Sequence, residues 1–343
     1  MSTAIDRFLV DREKLPLPLA ATTKSGIEYE PHASVWSFRD GSTNVVVNFE
    51  LLPEVTPSLL LGLKKTLIWY FENRSARTAN HGFNFFLPVI RFVAAGQRGP
   101  ISCISQDDIL AYRVSSDRAK YFLARVRGFL CKWIKLGVPG IGPGVQYLLG
   151  RLDIKHAATG VAVATLDPKT GPLTDLEFES IQSALNEAYA RNLITTEDLL
   201  LCYLLISLGS RPSQLASLKC CDLISPLNPG GDYVLQVPRV KQGQLERSEF
   251  KARKLSVQLG RPMATYIAGI RTQYAEKFAD TSQAPLFPQS KMAEMADAPG
   301  LEFHRTSNML SQQVRRIFRA LCAPSERLGG LPIPITPIRF RRT

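Results

Sequence analysis

Apolar and polar positions along the chain follow a helical period over most of its length and an alternating period in one short region. Four segments between Pro57 and about Val138 read as helices: "PSLLLGLKKTLIWYFENRS", "RTANHGFNFFLPVIRFVAAG", "ISQDDILAYRV" and "RAKYFLARVRGFLCKWIKLG". Ser105 is placed to cap the third, with Asp107 and Asp108 in its first turn, where negative charge meets the positive end of the helix. In the fourth, Phe122, Val126, Phe129 and Trp133 recur on one face and read as core, while Arg125, Arg127, Lys132 and Lys135 fall mainly elsewhere. The Gly- and Pro-dense "GVPGIGPGVQ" then breaks the pattern, and 140–172 reads as a linker or surface excursion.

Helical periodicity returns at "LTDLEFESIQSALNEAYARN", where Thr174 and Glu177 have capping-box spacing and Phe178, Ile181, Leu185 and Ala188 share a face. Thr195 and Asp198 repeat the box before an apolar helix that Gly209 is suited to end. The alternation of Tyr233, Leu235 and Val237, answered at 253–257 across a basic stretch, predicts a β-hairpin. Beyond it come an amphipathic helix at "RPMATYIAGIRTQYAEKF", an apolar turn at "APLFP", and the helix "NMLSQQVRRIFRAL", with Ser307 as its cap and Arg315, Arg316 and Arg319 outward. The predicted class is mainly α with a small β-hairpin, α+β. Its divisions are 1–55, where "NVVVNFELL" is the best strand candidate and nothing else is assigned, 56–139, 140–172 and 173–343.

Composition adds a partner class. The 343 residues are 45% apolar and 21% charged, which suits a chain with a core to bury, and 42 Lys+Arg against 30 Asp+Glu leave a formal charge of +12. Such an excess favours a polyanion, because each cation that meets a phosphate releases a condensed counterion. Charge alone is also compatible with a basic protein that merely stays dispersed. The six cysteines form no C-x-x-C pair, and Cys202 falls in an apolar helix, so they read as reduced thiols of a cytoplasmic protein. The acid-containing N-terminus has no signal-like apolar run, and "LLLCYLLISLG" is far short of the roughly 20 residues a membrane span needs.

Two stretches carry candidate chemistry. In "SRPSQLASLKCCDL", Pro212 suits the first position of a helix, which places the Arg211 guanidinium beside unsatisfied backbone N–H groups, a good setting for phosphate oxygens. Taken singly, an arginine more often neutralises a carboxylate. Lys241 stands where the first strand of the hairpin ends, and a lysine held there can deliver a proton to a leaving oxygen. An inert surface lysine is the commoner case.

In order, "LTDLEFESIQSAL", "LISLGSRPSQLASLKCCDL", "VKQG" with "RKLSV", "LFP" and "ITPIRFRRT" resemble the catalytic domain of the tyrosine recombinases, the phage-integrase family, over about 173–343. The helices of 57–138 are similar, more loosely, to that family's core-binding domain. The resemblance implies DNA strand breakage and rejoining through a 3′-phosphotyrosyl intermediate, without metal or nucleotide cofactor, on double-stranded DNA and with self-association there. It assigns Arg211 and Arg341 to the phosphate and Lys241 to the general acid. It also directs Arg77, Arg125, Arg127, Lys132, Arg239, Lys251, Arg315 and Arg342 to DNA contacts.

The sequence departs from the family pattern in four places. Ile338 stands where the second arginine box has a histidine, Gln214 replaces a glutamate, and Arg342 replaces a second histidine, while His304 lies too far upstream for either role. The family's nucleophilic tyrosine follows the second box, and this sequence reads to Thr343, so the expectation is a recombinase cut short before its nucleophile. Two alternatives stay open: a non-catalytic DNA-binding accessory protein, and a helical interaction scaffold in which Arg211, Lys241 and Arg341 do not converge.

Overall fold

The computed structural model describes residues 16–152, 160–228, 230–239, 246–290, 296–297 and 299–343. Lys241, residues 1–15 of the N-terminal segment and 153–159 of the expected linker lie outside them. The chain divides into two compact units, Met1–Asp40 with Asn44–Ala157, and Gly41–Thr43 with Ala158–Thr343.

The first unit opens with short antiparallel strands, β1 (Ala21–Thr22) against β2 (Glu28–Tyr29), followed by β3 (Val35–Asp40) and β4 (Thr43–Asn48). Four helices follow: α1 (Pro57–Asn73), α2 (Ala76–Gly96), α3 (Gln106–Ser115) and α4 (Asp117–Lys135). Thr56, Ser75, Ser105 and Ser116 cap them in turn, each accepting a hydrogen bond from the backbone N–H three residues on, and Ser105 with Asp108 closes a full capping box. The expected strand at "NVVVNFELL" is β4, ended by a 3₁₀ turn at Phe49–Leu51.

Aromatic packing joins the N-terminal strands to α1. Tyr29, Trp36, Phe38, Phe49 and Phe71 stack with ring centroids 4.9–6.1 Å apart, mostly edge-on, as ring quadrupoles favour. Lys64 is buried beside them. Its Nζ donates to the carbonyls of Pro31, His32 and Ala33 at 2.9, 3.2 and 2.9 Å and lies 4.7 Å from the Phe49 ring centre, so the buried ammonium has acceptors for its protons, although burial still lowers its pKa. Deeper in the bundle, Phe86, Phe129 and Trp133 fill the space between α2 and α4, and Trp133 Nε1 donates to the Pro139 carbonyl at 2.8 Å.

The expected core stripe of α4 holds for Val126, Phe129 and Trp133, all buried, but stops there. Phe122 is half-buried and packs on Phe85 and the exposed Tyr121 at the rim. Within 140–172 the chain forms α5 (Val145–Arg151), with Val145 and Leu149 buried, and a short turn of helix, α6 (Val161–Ala164).

The second unit contains α7 (Asp175–Ala190), α8 (Thr196–Leu208), α9 (Pro212–Ala216), α10 (Val257–Gln273), α11 (Ser307–Leu321) and α12 (Pro337–Arg342). These surround a three-stranded antiparallel sheet in the order β5 (Leu223–Ile224), β6 (Tyr233–Pro238), β7 (Phe250–Leu255). Both expected capping boxes, Thr174 with Glu177 and Thr195 with Asp198, are formed. The cap of α11 is Thr306 instead of Ser307: the Thr306 hydroxyl accepts from the Met309 N–H, and Ser307 is the first helical residue. Helix α8 is apolar all round, which fits its place in the middle of the core between α10 and α11. The whole is mainly helical with small antiparallel sheets, the α+β class the sequence indicates. No helix among the described residues is long and apolar enough to cross a membrane.

Candidate anion-binding site

Helix α8 ends where the site begins. Gly209 takes up the left-handed conformation at φ 55° and caps the helix by donating to the Leu205 carbonyl at 3.0 Å. A Cβ at this position would make only ordinary contacts, 3.5 Å from the Phe340 carbonyl oxygen and 3.6 Å from Arg341 Cα, so it is the left-handed backbone and not lack of space that favours glycine here. Two residues on, Arg211 is the N-cap of α9 with Pro212 in the first turn, as the sequence indicates. Gln214 fixes this turn at both ends. Its Oε1 accepts from the Arg211 N–H at 3.0 Å, and its Nε2 donates to the Pro238 carbonyl at the end of β6 at 2.8 Å.

Arg341 reaches the site because its neighbour is anchored. Arg339 is completely buried; Nε donates to Gly171 O at 3.0 Å, Nη1 to Pro334 O at 3.2 Å, and Nη2 to Glu177 Oε2 at 3.4 Å. Glu177 is itself fully buried, held also by Arg327 and by the Ser325 hydroxyl. Phe340 packs on Phe318 of α11 with 5.6 Å between ring centres. At 3.6 residues per turn, a residue two positions after Arg339 emerges on the far side of the helix. The buried Glu177–Arg339 pair therefore turns Arg341 outward.

A cavity of about 300 Å³ lies between these elements, lined by Leu208, Gly209, Ser210, Arg211, Gln214, Val237, Arg239, Lys251, Arg253 and Arg341. Five of the ten are cations, and no carboxylate, imidazole or phenol occurs among the described lining residues. Arg211 is half-buried, and burial, then the facing charge of Arg341, lowers its affinity for its proton below that of an ordinary arginine. Two guanidiniums turned toward one space in this way favour an anion between them. The described lining residues supply hydrogen-bond donors and positive charge, and none of them is a proton-transfer group of the carboxyl, imidazole or phenol kind.

Of the residues singled out from sequence, Arg211, Arg341, Arg239 and Lys251 come together here, whereas Lys241 lies outside the described residues. Arg239 also pairs with Glu249 at 3.4 Å on the exposed side of the hairpin. Arg315 sits apart, with Arg316 and Arg319 along a second depression of about 540 Å³ on α11. Arg342 donates to the Thr170 carbonyl and is not among the lining residues. His304 is buried with Nδ1 2.7 Å from the Ala216 carbonyl, a packing role. In the first unit, Arg77 and Arg125 both lie close enough to His81 that burial, then their two charges, lower its pKa. Arg125 also lies 5.1 Å from the Tyr121 ring centre and Lys132 3.6 Å from that of Trp69, with Arg127 half-buried on the same helix.

Arg253 is the one cation among the described lining residues that reading by motif does not single out. A signal for it exists in the strand pattern. Directly opposed residues of an antiparallel pair share a face of the sheet. Arg253 opposes Leu235 and Lys251 opposes Val237, and both partners are buried. The inward face of β7 thus reads Lys251, Arg253, Leu255, with cations where apolar residues belong if that face met only core.

No protein-family model matches this sequence, and no curated protein matches it. Among solved structures, the chain is similar to the crystal structure of XerA recombinase at 15% identity, covering 82% of this chain and 80% of that chain, with a TM-score of 0.32.

Proposed function

We propose that this chain binds duplex DNA along its phosphate backbone, that Arg211 and Arg341 grip one phosphodiester between them, and that it is a relative of the tyrosine recombinases. The carrying observation is the cavity in which these two arginines, from motifs far apart in the sequence, face one another in company with Arg239, Lys251 and Arg253. Arg211 and Arg341 are two of the three side chains that a helical scaffold would leave apart, and their meeting supports the recombinase reading, while Lys241, the third, lies outside the described residues. Two guanidiniums beside one another suit a phosphoryl centre because charge gathers on the nonbridging oxygens as the bond to phosphorus is attacked. The cations Arg77, Arg125, Arg127 and Lys132 of the first unit would add backbone contacts that carry no sequence information.

In this reading the chain orients a phosphodiester and does not cut it. The tyrosines of the second unit are engaged elsewhere: Tyr189 with Thr196, Tyr203 with Asn186, Tyr266 with Glu197 and Tyr274 with the Gln289 carbonyl, while Tyr233 packs over Gly260. None of them lines the cavity among the described residues. Ile338 is half-exposed on α12 at the position where the family pattern carries a proton-transferring histidine, and isoleucine has no proton to give.

Anisotropy of a labelled duplex titrated with the protein tests the binding, and denaturing gel analysis of the same mixture tests the chemistry. Salt-sensitive binding with no covalent protein–DNA product is the expected result. A covalent product would show that a tyrosine of this chain acts as nucleophile. Absence of duplex binding at low salt would refute the proposal as a whole.

A further inference from the structure

The cavity carries more positive charge than one phosphodiester needs, and the charge falls into two groups on different walls. Arg211 and Arg341 come from the start of α9 and from α12, while Arg239, Lys251 and Arg253 come from the hairpin β6–β7. Lys251 and Arg253 stand on the inward face of β7, opposite the buried Val237 and Leu235. Because β7 is an edge of its sheet, inward charge there could serve only to discourage pairing with another strand. Two observations argue for a ligand role instead. Both side chains border the same half-open cavity as the paired arginines, and no described lining residue is a carboxylate that would neutralise them. At 300 Å³ the space holds about ten waters at roughly 30 Å³ each, enough for more than one tetrahedral anion with part of its hydration.

Resting on the DNA-binding reading above, we propose that this cavity holds two neighbouring phosphate groups of one ligand. Arg211 and Arg341 form the first subsite; Lys251 and Arg253, flanked by Arg239, form the second. The chemistry recognised is a closely spaced double anion, which two successive phosphodiesters of a nucleic-acid strand supply and a free polyphosphate such as pyrophosphate imitates. Gln214 links the two walls, since one amide bonds both the Arg211 backbone and the end of β6. The hairpin cations then fix which phosphate the arginine pair receives.

The test compares inorganic phosphate with pyrophosphate by calorimetry, on the full chain and on Lys251→Gln, Arg253→Gln and Arg253→Lys, with a labelled duplex measured in parallel. Pyrophosphate should bind roughly tenfold more tightly than phosphate, because it engages a second pair of charge-assisted donors. Arg253→Gln and Lys251→Gln should each remove most of that preference while leaving phosphate binding in place, and Arg253→Lys should retain it. Circular dichroism confirms that each variant is folded, which their position on an exposed edge strand favours. Equal affinity for the two anions, or a preference untouched by both glutamine variants, overturns the second subsite. If the duplex binds while pyrophosphate gains nothing, the subsite falls and the DNA reading stands. If pyrophosphate binds well and the duplex does not, the DNA reading falls and the subsite is that of a free polyphosphate. Binding of neither rejects both.

Discussion

Glu177 offers a direct test of how the site is held in place. It is fully buried and compensates two arginines, Arg339, which is equally buried, and Arg327, which is one-fifth exposed. Burial pushes its carboxyl pKa up, but hydrogen bonds from Arg327, Ser325 and the Thr174 N–H, with the charge of Arg327, outweigh that and leave it below the ordinary carboxylate value. Glu177→Gln keeps the shape and removes the charge, so Arg339 is left buried without its counter-ion. Breaking a buried pair in this way costs about 3–5 kcal/mol. At about 2–4 °C per kcal/mol for a unit of this size, the melting midpoint should fall by roughly 6–20 °C. Glu187→Gln, which breaks the exposed pair with Arg191, should change stability by no more than about 0.5 kcal/mol.

Adding Arg339→Met to Glu177→Gln should restore part of the loss, since the stranded charge goes with it. The sign of the pH effect follows from the depressed pKa. The stabilisation from Glu177 is complete above the ordinary carboxylate range and is lost as pH falls through its folded-state value. Thermal and urea unfolding across pH 3–7 on the wild type and these variants measures it. If Glu177→Gln costs less than about 1 kcal/mol, the buried pair is not what holds α12 in place. The route from Glu177 through Arg339 to Arg341 would then be wrong.

Three further outcomes are expected. Gly209→Ala forces a β-carbon into the left-handed conformation at φ 55° and should cost about 1–2 kcal/mol in urea unfolding, with Gly209→Asn recovering much of it. Gln214→Ala cuts the tie between the Arg211 turn and β6, and calorimetry should show weaker phosphate binding with a stability loss of about 1–2 kcal/mol. Gly62→Ala would place a Cβ 1.8 Å from the Pro139 carbonyl oxygen, which backbone cannot yield cheaply. Destabilisation of about 3 kcal/mol or more should follow, with a shift in the emission of Trp133, whose indole bonds that same carbonyl.

What the sequence discloses here is mostly local. The cap at Ser105, the capping boxes at Thr174 and Thr195, the αL glycine at 209 and the Arg211–Pro212 helix start depend on residues within one turn of each other, and each forms as its spacing indicates. The shift of the α11 cap from Ser307 to Thr306 is a choice between two adjacent hydroxyls that only the direction of the incoming chain decides. Partners far apart in sequence are harder to read. In "IRFRR" the three arginines look alike, yet Arg339 is buried because Glu177 waits for it, Arg342 binds the Thr170 carbonyl, and Arg341 alone enters the cavity.

The same limit explains Phe122 and the N-terminal segment. Helical spacing puts Phe122 in line with Phe129 and Trp133, but the stripe runs past the end of the packed bundle and reaches the surface. The strands of 21–48 depend on aromatic contacts with Phe71 of α1, which no local pattern announces.

The central claim is that Arg211 and Arg341 grip a DNA phosphate. The most direct measurement is duplex affinity by anisotropy over a range of salt concentrations, for the wild type, Arg211→Gln and Arg341→Gln. The account predicts that log affinity falls linearly with log salt and that each substitution weakens binding and flattens the slope by about one unit, the loss of one phosphate contact. Unchanged affinity and slope in both variants, with the wild type binding normally, would contradict it.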